Sequence, residues 1–321
     1  MTKRVLIIEK EHPADLAVYA DVIGKAQPRV EVLMAATEDE ALSRCGGVTA
    51  IIAKAHSISA EVVAATPRLD WVQALTTGTD HLASVDLPPG VVITSARGIH
   101  GPQMSELAFM FMLAFLRDIR TVLGDQEKAI WSRRPQRLLY GKTVVIVGVG
   151  AISEALAQRC KAFGMITIGV SSMPRSAAGF DEVVGRESLL EVAGRADFLI
   201  VVAPYSPATH QMIDRSVLAA MAPHAVLINI ARGKVCDEAA LVEALREKRI
   251  AGAGLDVFAV EPLPPDHSLW GLDNVILTPH IGGMSDSYVR QTLPLVLENL
   301  GFYCAGERHR MRNIVDRQGN G

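Results

Sequence analysis

The stretch Thr143-Val144-Val145-Ile146-Val147-Gly148-Val149-Gly150-Ala151-Ile152-Ser153-Glu154-Ala155-Leu156-Ala157 decides how the rest of the chain is read. Its opening residues, Thr143 to Val147, are uncharged and β-branched, as in a strand buried on both faces of a parallel sheet. The closing residues are good helix formers. Between them Gly148 and Gly150 make a turn that sets backbone N–H groups and a helix N-terminus against a pyrophosphate. GxG alone is a weak signal, and the strand before it and the helix after it strengthen it. The plainer alternative is a tight strand–helix turn that holds no ligand. Ser153 takes the third position of the fingerprint, where glycine permits close packing, and predicts a slightly wider helix–strand contact.

Outward from this unit, short apolar runs alternate with longer amphipathic stretches, the pattern of βα units around parallel sheets. Upstream, strands are expected near Val5–Ile8, Val30–Met34, Ala50–Ala53, Trp71–Ala74 and Val91–Ile93, with helices over Ala14–Lys25 and Glu38–Arg44. Downstream, strands are expected near Ile166–Val170, Phe198–Val202, Ala225–Ile230, Gly252–Leu255 and Val275–Leu277. A long helix, Met104 to Leu123, separates the two series, and a last one, Ser285 to Tyr303, carries the chain back to the first. A length of 321 residues also favours two domains over one core. The expected division is a substrate domain of residues 1–97 plus 288–321 and a dinucleotide-binding domain of residues 98–287.

Composition narrows the partners. A net charge of -3 gives no electrostatic case for nucleic acid or an anionic membrane. Cys45, Cys160, Cys236 and Cys304 show no CxxC pair and no ligand spacing, so no metal is expected and the thiols suit a reducing cytoplasm. The charged start, Met1 to Lys10, reads as a first strand and not as a signal peptide. The longest apolar run, Leu107 to Leu116, is well short of the roughly 20 residues that a bilayer span needs. A short polar C-terminal end is expected to fray.

The end of the second downstream strand, Ile168-Gly169-Val170-Ser171-Ser172-Met173-Pro174-Arg175, bears on the choice of dinucleotide. An acid about 20 positions past the glycines usually accepts hydrogen bonds from the adenosine ribose diol. None stands here. Ser171, Ser172 and Arg175 are instead donors suited to a 2′-phosphate, which predicts NADP(H) in preference to NAD(H). The plainer alternative makes Arg175 a solvated loop cation.

Three further segments carry groups for one reaction. Arg232 follows the apolar run Ala225 to Ile230, at the strand end where open α/β sheets bind ligands. A planar guanidinium there would hold a carboxylate and its neighbouring carbonyl in one plane. His280 follows Val275-Ile276-Leu277-Thr278-Pro279 and precedes Gly282-Gly283, and its imidazole titrates in the range useful for protonating a carbonyl oxygen. Glu261, at the end of Gly254 to Val260, is the natural carboxylate to fix its tautomer and raise its pKa. Their contact is an expectation, since separation in sequence proves none. In the first domain, Leu75-Thr76-Thr77-Gly78-Thr79-Asp80 reads locally as a substrate loop or, equally, as an ordinary turn.

In order and wording these segments resemble the D-2-hydroxyacid dehydrogenase family over most of the chain. Gly141-Lys142, Pro204 with Thr209, and Asp256 add to the match. The resemblance implies the expected fold class in full: α/β, with two doubly wound parallel-sheet domains, one a Rossmann dinucleotide-binding domain and the smaller one a flavodoxin-like substrate domain. It implies Arg232, Glu261 and His280 as catalytic groups, and Leu75, Thr76, Thr77 and Gly78 as the substrate loop. For the cofactor it implies Met104, Gly148, Gly150, Ala151, Ile152, Ser171, Ser172, Arg175, Ala203, Pro204, Thr209, Ile230, Ala231, Arg232, Asp256, His280 and Gly282. Ser171 sits where the family's acid would be. Two local departures are Val202, where relatives often have histidine, and Ile99-His100-Gly101, which replaces an asparagine-containing turn.

The expected activity is NAD(P)H-dependent reduction of a small 2-keto acid to the D-2-hydroxy acid, and its reverse, in a cleft between the domains of a cytoplasmic enzyme. Glyoxylate and hydroxypyruvate are the first candidates, because the chain resembles reductases of that kind. Formate oxidation is a rival, although relatives with that activity have glutamine where Glu261 stands. A dinucleotide-sensing regulatory protein on the same fold is the alternative from another class. The helix from Met104 to Leu116 is apolar around its circumference and needs cover, from the other domain or from a second subunit. A homodimer is the expectation.

Overall fold

A computed structural model describes residues 3–316. They fall into two units, one holding the chain up to Ile99 and again from Ser285, the other His100–Met284. The first is built on strands β1 (Lys3–Ile8), β2 (Val30–Ala35), β3 (Ala50–Ala53), β4 (Trp71–Ala74) and β5 (Val92–Thr94). All pairings are parallel, in the order β2-β1-β3-β4-β5. Successive side chains of a strand point to opposite faces, so each strand feeds two cores. Of the helices α1 (Asp15–Ala26), α2 (Glu38–Arg44) and α3 (Ala60–Ala64), the last two cover one face, where Leu6, Ile8 and Ile51 pack with Ala41 of α2 and Val62 and Val63 of α3. Val5, Ile7 and Ile52 enter the other, covered by α1 and by the chain's last helix, Tyr288–Ala305. That helix is tied in by Trp71 against Tyr303, ring centroids 4.9 Å apart, and by Asn299 donating to Gln73 at 2.8 Å.

The second unit begins with α4 (Gly101–Leu116) and α5 (Ile119–Glu127) and continues through β6 (Thr143–Val147), α6 (Ala151–Ala162), β7 (Ile166–Ser171) and β8 (Glu182–Gly185). Then follow α7 (Leu189–Arg195), β9 (Phe198–Val201), α8 (Arg215–Ala220), β10 (Val226–Asn229), α9 (Glu238–Arg246), β11 (Gly252–Leu255) and β12 (Val275–Leu277). Its seven strands, again all parallel, run β12-β11-β10-β9-β6-β7-β8. Val144, Ile146 and Ile200 pack against α4 and α6, while Val145, Val147 and Leu199 pack against α7, α8 and α9. Both units are doubly wound, and their strand orders are those of the flavodoxin-like and Rossmann classes. The α/β expectation holds.

Three local expectations need amendment. The helix expected from Met104 to Leu123 is two helices, broken where the apolar run gives way to Arg117-Asp118. Asp118 takes a left-handed φ of 47°, which a short polar side chain tolerates, and its carboxylate accepts from Thr121 at 2.8 Å to start α5. The edge strand β8 was not expected: Glu182-Val183-Val184-Gly185 is too short and too mixed to read as a buried run. The last helix starts at Tyr288, later than Ser285. The polar C-terminal end beyond Asp316 lies outside the described residues. Among the described residues no helix is long and apolar enough to cross a membrane.

Candidate active site

In the second sheet the strand order reverses between β6 and β9, and open α/β sheets bind ligands outside the carboxyl ends of the strands at such a point. Gly148 ends β6 there with φ +102°, and a Cβ on it would lie 2.7 Å from the backbone N and 2.8 Å from the Cα of Ala203, just past β9. A side chain at 148 would therefore force the two strand ends apart. Gly150 precedes α6, and a Cβ there would meet nothing within 4 Å, so this side of the turn is open. The first-turn amides of α6 have no intrahelical acceptor by construction. A pyrophosphate fits this geometry. Ser153 is buried and turns back on the cap, accepting from the Gly150 N–H at 2.7 Å and donating to the Gly150 carbonyl at 2.9 Å. Thr209 buckles the loop after β9, donating to the Pro204 carbonyl at 2.8 Å and accepting from the Ser206 N–H at 2.7 Å. At the end of β7, Ser171 Oγ accepts from the Met173 N–H at 3.2 Å, and Arg175 donates to Glu154 at 2.6 Å.

Arg232 is set by the bend after β10. The buried Asn229 accepts from the Ala231 N–H at 3.1 Å and donates to the Arg232 carbonyl at 3.1 Å, so Ile230 to Arg232 turn off the strand. A Cβ on Gly233 would stand 1.9 Å from the carbonyl carbon of Phe258. The arginine segment and the segment carrying Glu261 are thus in backbone contact. The guanidinium, half-buried, donates from Nη1 to the Ala231 carbonyl at 2.7 Å.

Asp256, 1% exposed just past β11, organises the turn that bears His280. Its Oδ1 accepts from the Thr278 hydroxyl at 2.6 Å and the Ile281 N–H at 2.9 Å, its Oδ2 from the Gly282 N–H at 2.9 Å, and its carbonyl from the His280 N–H at 2.8 Å. These bonds hold His280 at a left-handed φ of 54°. Such a conformation costs a non-glycine residue about 1–2 kcal/mol, which the clamp offsets. Glu261 faces the imidazole: Oε2 lies 2.6 Å from His280 Nδ1, while Oε1 accepts from the Phe258 N–H at 2.9 Å. The hydrogen bond that His280 donates to Glu261 raises the His280 pKa above its ordinary value, against the lowering by burial, and the Glu261 charge adds to the rise. Burial alone would raise the Glu261 carboxyl, but the bonds from His280 and Phe258 carry it below its usual range. The Arg232 charge lowers both groups, so guanidinium, carboxylate and imidazole share one electrostatic neighbourhood. With Nδ1 on the carboxylate, Nε2 is left to present the transferable proton.

Residues 109–282 match the family model for the NAD binding domain of D-isomer specific 2-hydroxyacid dehydrogenases. The chain belongs to this family. It is a family of oxidoreductases, and relatives in both sequence and structure agree. The glyoxylate reductase of Thermococcus onnurineus is 38% identical over 264 residues, 78% of this chain and 78% of that protein. A D-isomer specific 2-hydroxyacid dehydrogenase family protein from Aeromonas salmonicida superposes with a TM-score of 0.92 at 30% identity, covering 99% of this chain and 100% of the other. The NADPH-dependent glyoxylate/hydroxypyruvate reductase of Sinorhizobium meliloti, solved with NADP and sulfate, gives 0.85 at 26% identity and 98% coverage of each chain. The chain spans only 58% of the length of the D-3-phosphoglycerate dehydrogenase of Methanocaldococcus jannaschii, to which it is 30% identical over 95% of its own length.

In this family member, the second unit gathers Arg232, Asp256, Glu261, His280 and Gly282 around one turn, and Met104 of α4 packs beside Gly282. Gly148, Gly150, Ala151 and Ile152 stand across the switch point from Ala203 to Thr209. Leu75 to Gly78 lie in the first unit, after β4. There the Thr76 hydroxyl donates to the Gly78 carbonyl at 2.7 Å, and the Tyr288 hydroxyl hydrogen-bonds the Leu75 carbonyl. His100, ahead of α4, is buried, which pushes its imidazole down to about 4. Val202 is half-buried against the apolar layer under α4. Sequence reasoning missed Asn229, which shapes the arginine bend, and Glu154, the partner of Arg175. Neither has a local signature, apart from the position of Glu154 directly behind the glycine turn.

Proposed function

We propose that this protein reduces small 2-keto acids such as glyoxylate or hydroxypyruvate to D-2-hydroxy acids, and catalyses the reverse oxidation. The observation that carries the reading is the 2.6 Å Glu261–His280 pair beside Arg232. A reduced nicotinamide dinucleotide bound at the glycine turn would supply hydride to the keto carbon. His280 donates its proton to the carbonyl oxygen, and in reverse takes it from the hydroxyl. Glu261 holds the imidazole in the right tautomer and keeps it charged near neutral pH. Arg232 binds the substrate carboxylate and polarises the adjacent carbonyl. Leu75 to Gly78 are the proposed substrate loop of the first unit. Ala151 and Ile152 offer amides to the pyrophosphate, with Ile230, Ala231, Asp256 and Gly282 lining the nicotinamide end.

NADP(H) is the proposed cofactor, with Ser171, Ser172 and Arg175 at the 2′-phosphate. The missing acid after β7 and the NADP bound to the Sinorhizobium relative support that choice. A homodimer is proposed because exposed apolar side chains crowd one stretch: Met110, Leu123, Ile130, Leu138, Tyr140 and Trp131, the last 91% exposed. Its four unpaired thiols favour the cytoplasm. A panel of 2-keto acids assayed with NADPH and NADH tests the activity and the cofactor together. Turnover of a short keto acid with higher kcat/KM for NADPH is expected. No turnover on any acid would end the enzymatic reading, and a clear NADH preference the cofactor part. A one-chain mass by light scattering would end the dimer.

The His280–Glu261 pair also sets a pH dependence. Reduction needs protonated His280, a form present below its raised pKa and lost as pH rises through it. In Glu261→Gln the main raising interaction is gone, so the alkaline limb of kcat should move to lower pH, toward or below the ordinary value of about 6.5. On the alkaline side kcat of the variant should fall below that of the unaltered protein. A limb that stays in place in the pH–kcat profile would mean Glu261 does not tune the acid.

A further inference from the structure

Arg175 is the cation of the segment Ser171-Ser172-Met173-Pro174-Arg175-Ser176, to which the reading above gives the 2′-phosphate. Its guanidinium is already engaged. Nη2 donates to Glu154 Oε1 at 2.6 Å, and Nη1 to the Ser176 carbonyl at 3.1 Å. Glu154 sits in the first turn of α6, directly behind the residues whose amides face the pyrophosphate. Its side chain is 26% exposed against 57% for Arg175, so the carboxylate is the better-fixed partner and the arginine the one able to swing. The pair bridges the start of α6 and the loop after β7, the two elements between which the adenosine ribose of a dinucleotide on the glycine turn would lie.

We propose that Glu154 is a cofactor-discriminating residue, competing with the 2′-phosphate for Arg175 and so holding down the preference for NADP(H). An incoming phosphate must displace the carboxylate from the guanidinium or share the cation with it. Either way one anion approaches another. A dinucleotide without the 2′-phosphate meets no such competition, so the carboxylate acts on one cofactor and not on the other. Removing its charge frees Arg175 and abolishes the repulsion. Because the pair is partly exposed, the gain should be modest, roughly three- to fivefold. The Glu154 carboxylate bonds Arg175 in the loop after β7, so the change should be felt at the adenosine end.

This inference rests on the cofactor reading, and it is tested by binding and not by turnover. Calorimetric titration with adenosine 2′,5′-bisphosphate and with 5′-AMP compares ligands that differ only in the 2′-phosphate. In Glu154→Gln the bisphosphate should bind roughly three- to fivefold tighter, with 5′-AMP changed by less than about twofold. Arg175→Gln should weaken the bisphosphate alone. In the double variant the gain from Glu154→Gln should vanish, because the two residues act through one contact. An unchanged bisphosphate affinity in Glu154→Gln, or the same gain without Arg175, overturns the proposal. Weaker 5′-AMP binding in Glu154→Gln also overturns it, by assigning Glu154 to the ribose diol. If the unaltered protein binds neither ligand, the cofactor reading itself fails and the proposal falls with it.

Discussion

Replacing His280 by asparagine should lower kcat for keto-acid reduction about a thousandfold, within the range of a lost general acid. The dissociation constant of NADPH should change by less than about threefold. Asparagine is the informative choice because the backbone at 280 is left-handed, with φ 54°, and asparagine is among the few residues that accept it. Asp256 accepts its bonds from backbone amides and from the Thr278 hydroxyl, none from the imidazole, so the turn persists when the ring is removed. What disappears is the proton on Nε2 and the charge that Glu261 stabilises. Steady-state rates at saturating substrate, with cofactor affinity from fluorescence quenching, separate the two. A variant with near-normal kcat would remove His280 from the reaction.

Arg232→Lys should lower kcat/KM for a 2-keto acid by about a hundred- to a thousandfold, although the charge is kept. A lysine cannot offer two parallel N–H donors in the plane of the carboxylate and carbonyl, so it binds the acid without orienting the carbon to be reduced. The bend itself should survive, since the Asn229 amide is held by the Ala231 N–H, the Arg232 carbonyl and Cys236 Sγ, all of which the substitution leaves in place. A ketone lacking the carboxylate provides the control. Its turnover, slow in both proteins, should be nearly insensitive to the substitution. An equal loss on both substrates would show that Arg232 serves the fold or the cofactor, not the carboxylate.

How far the sequence could be read depended on how local the signal was. Strands such as Ala50–Ala53 and Thr143–Val147 are buried on both faces, so their composition alone marks them. The short edge strand Glu182–Gly185 has one face toward solvent and two apolar residues, too little for a pattern. The break at Asp118 was hidden because apolar residues resume on the far side, at Ile119 and Val122. Arg232, Glu261 and His280 stood out because each follows a legible strand, and strand ends are where such sheets place ligands. The Asp256 clamp and the Glu154–Arg175 pair depend on side-chain directions between segments far apart in the chain, and no short window of sequence contains them. The Asn229 bend is local, but an asparagine at a strand end does not by itself say which amides it will bond. The Leu75–Gly78 loop had no such strand-end chemistry and was picked out by resemblance.

His280, Glu261 and Arg232 all hang from a single sheet, the one that also carries the glycine turn. On the proposed reading, acid–base chemistry and dinucleotide capture are inherited together, as one cassette. A change in the loops of the other unit leaves this assembly intact.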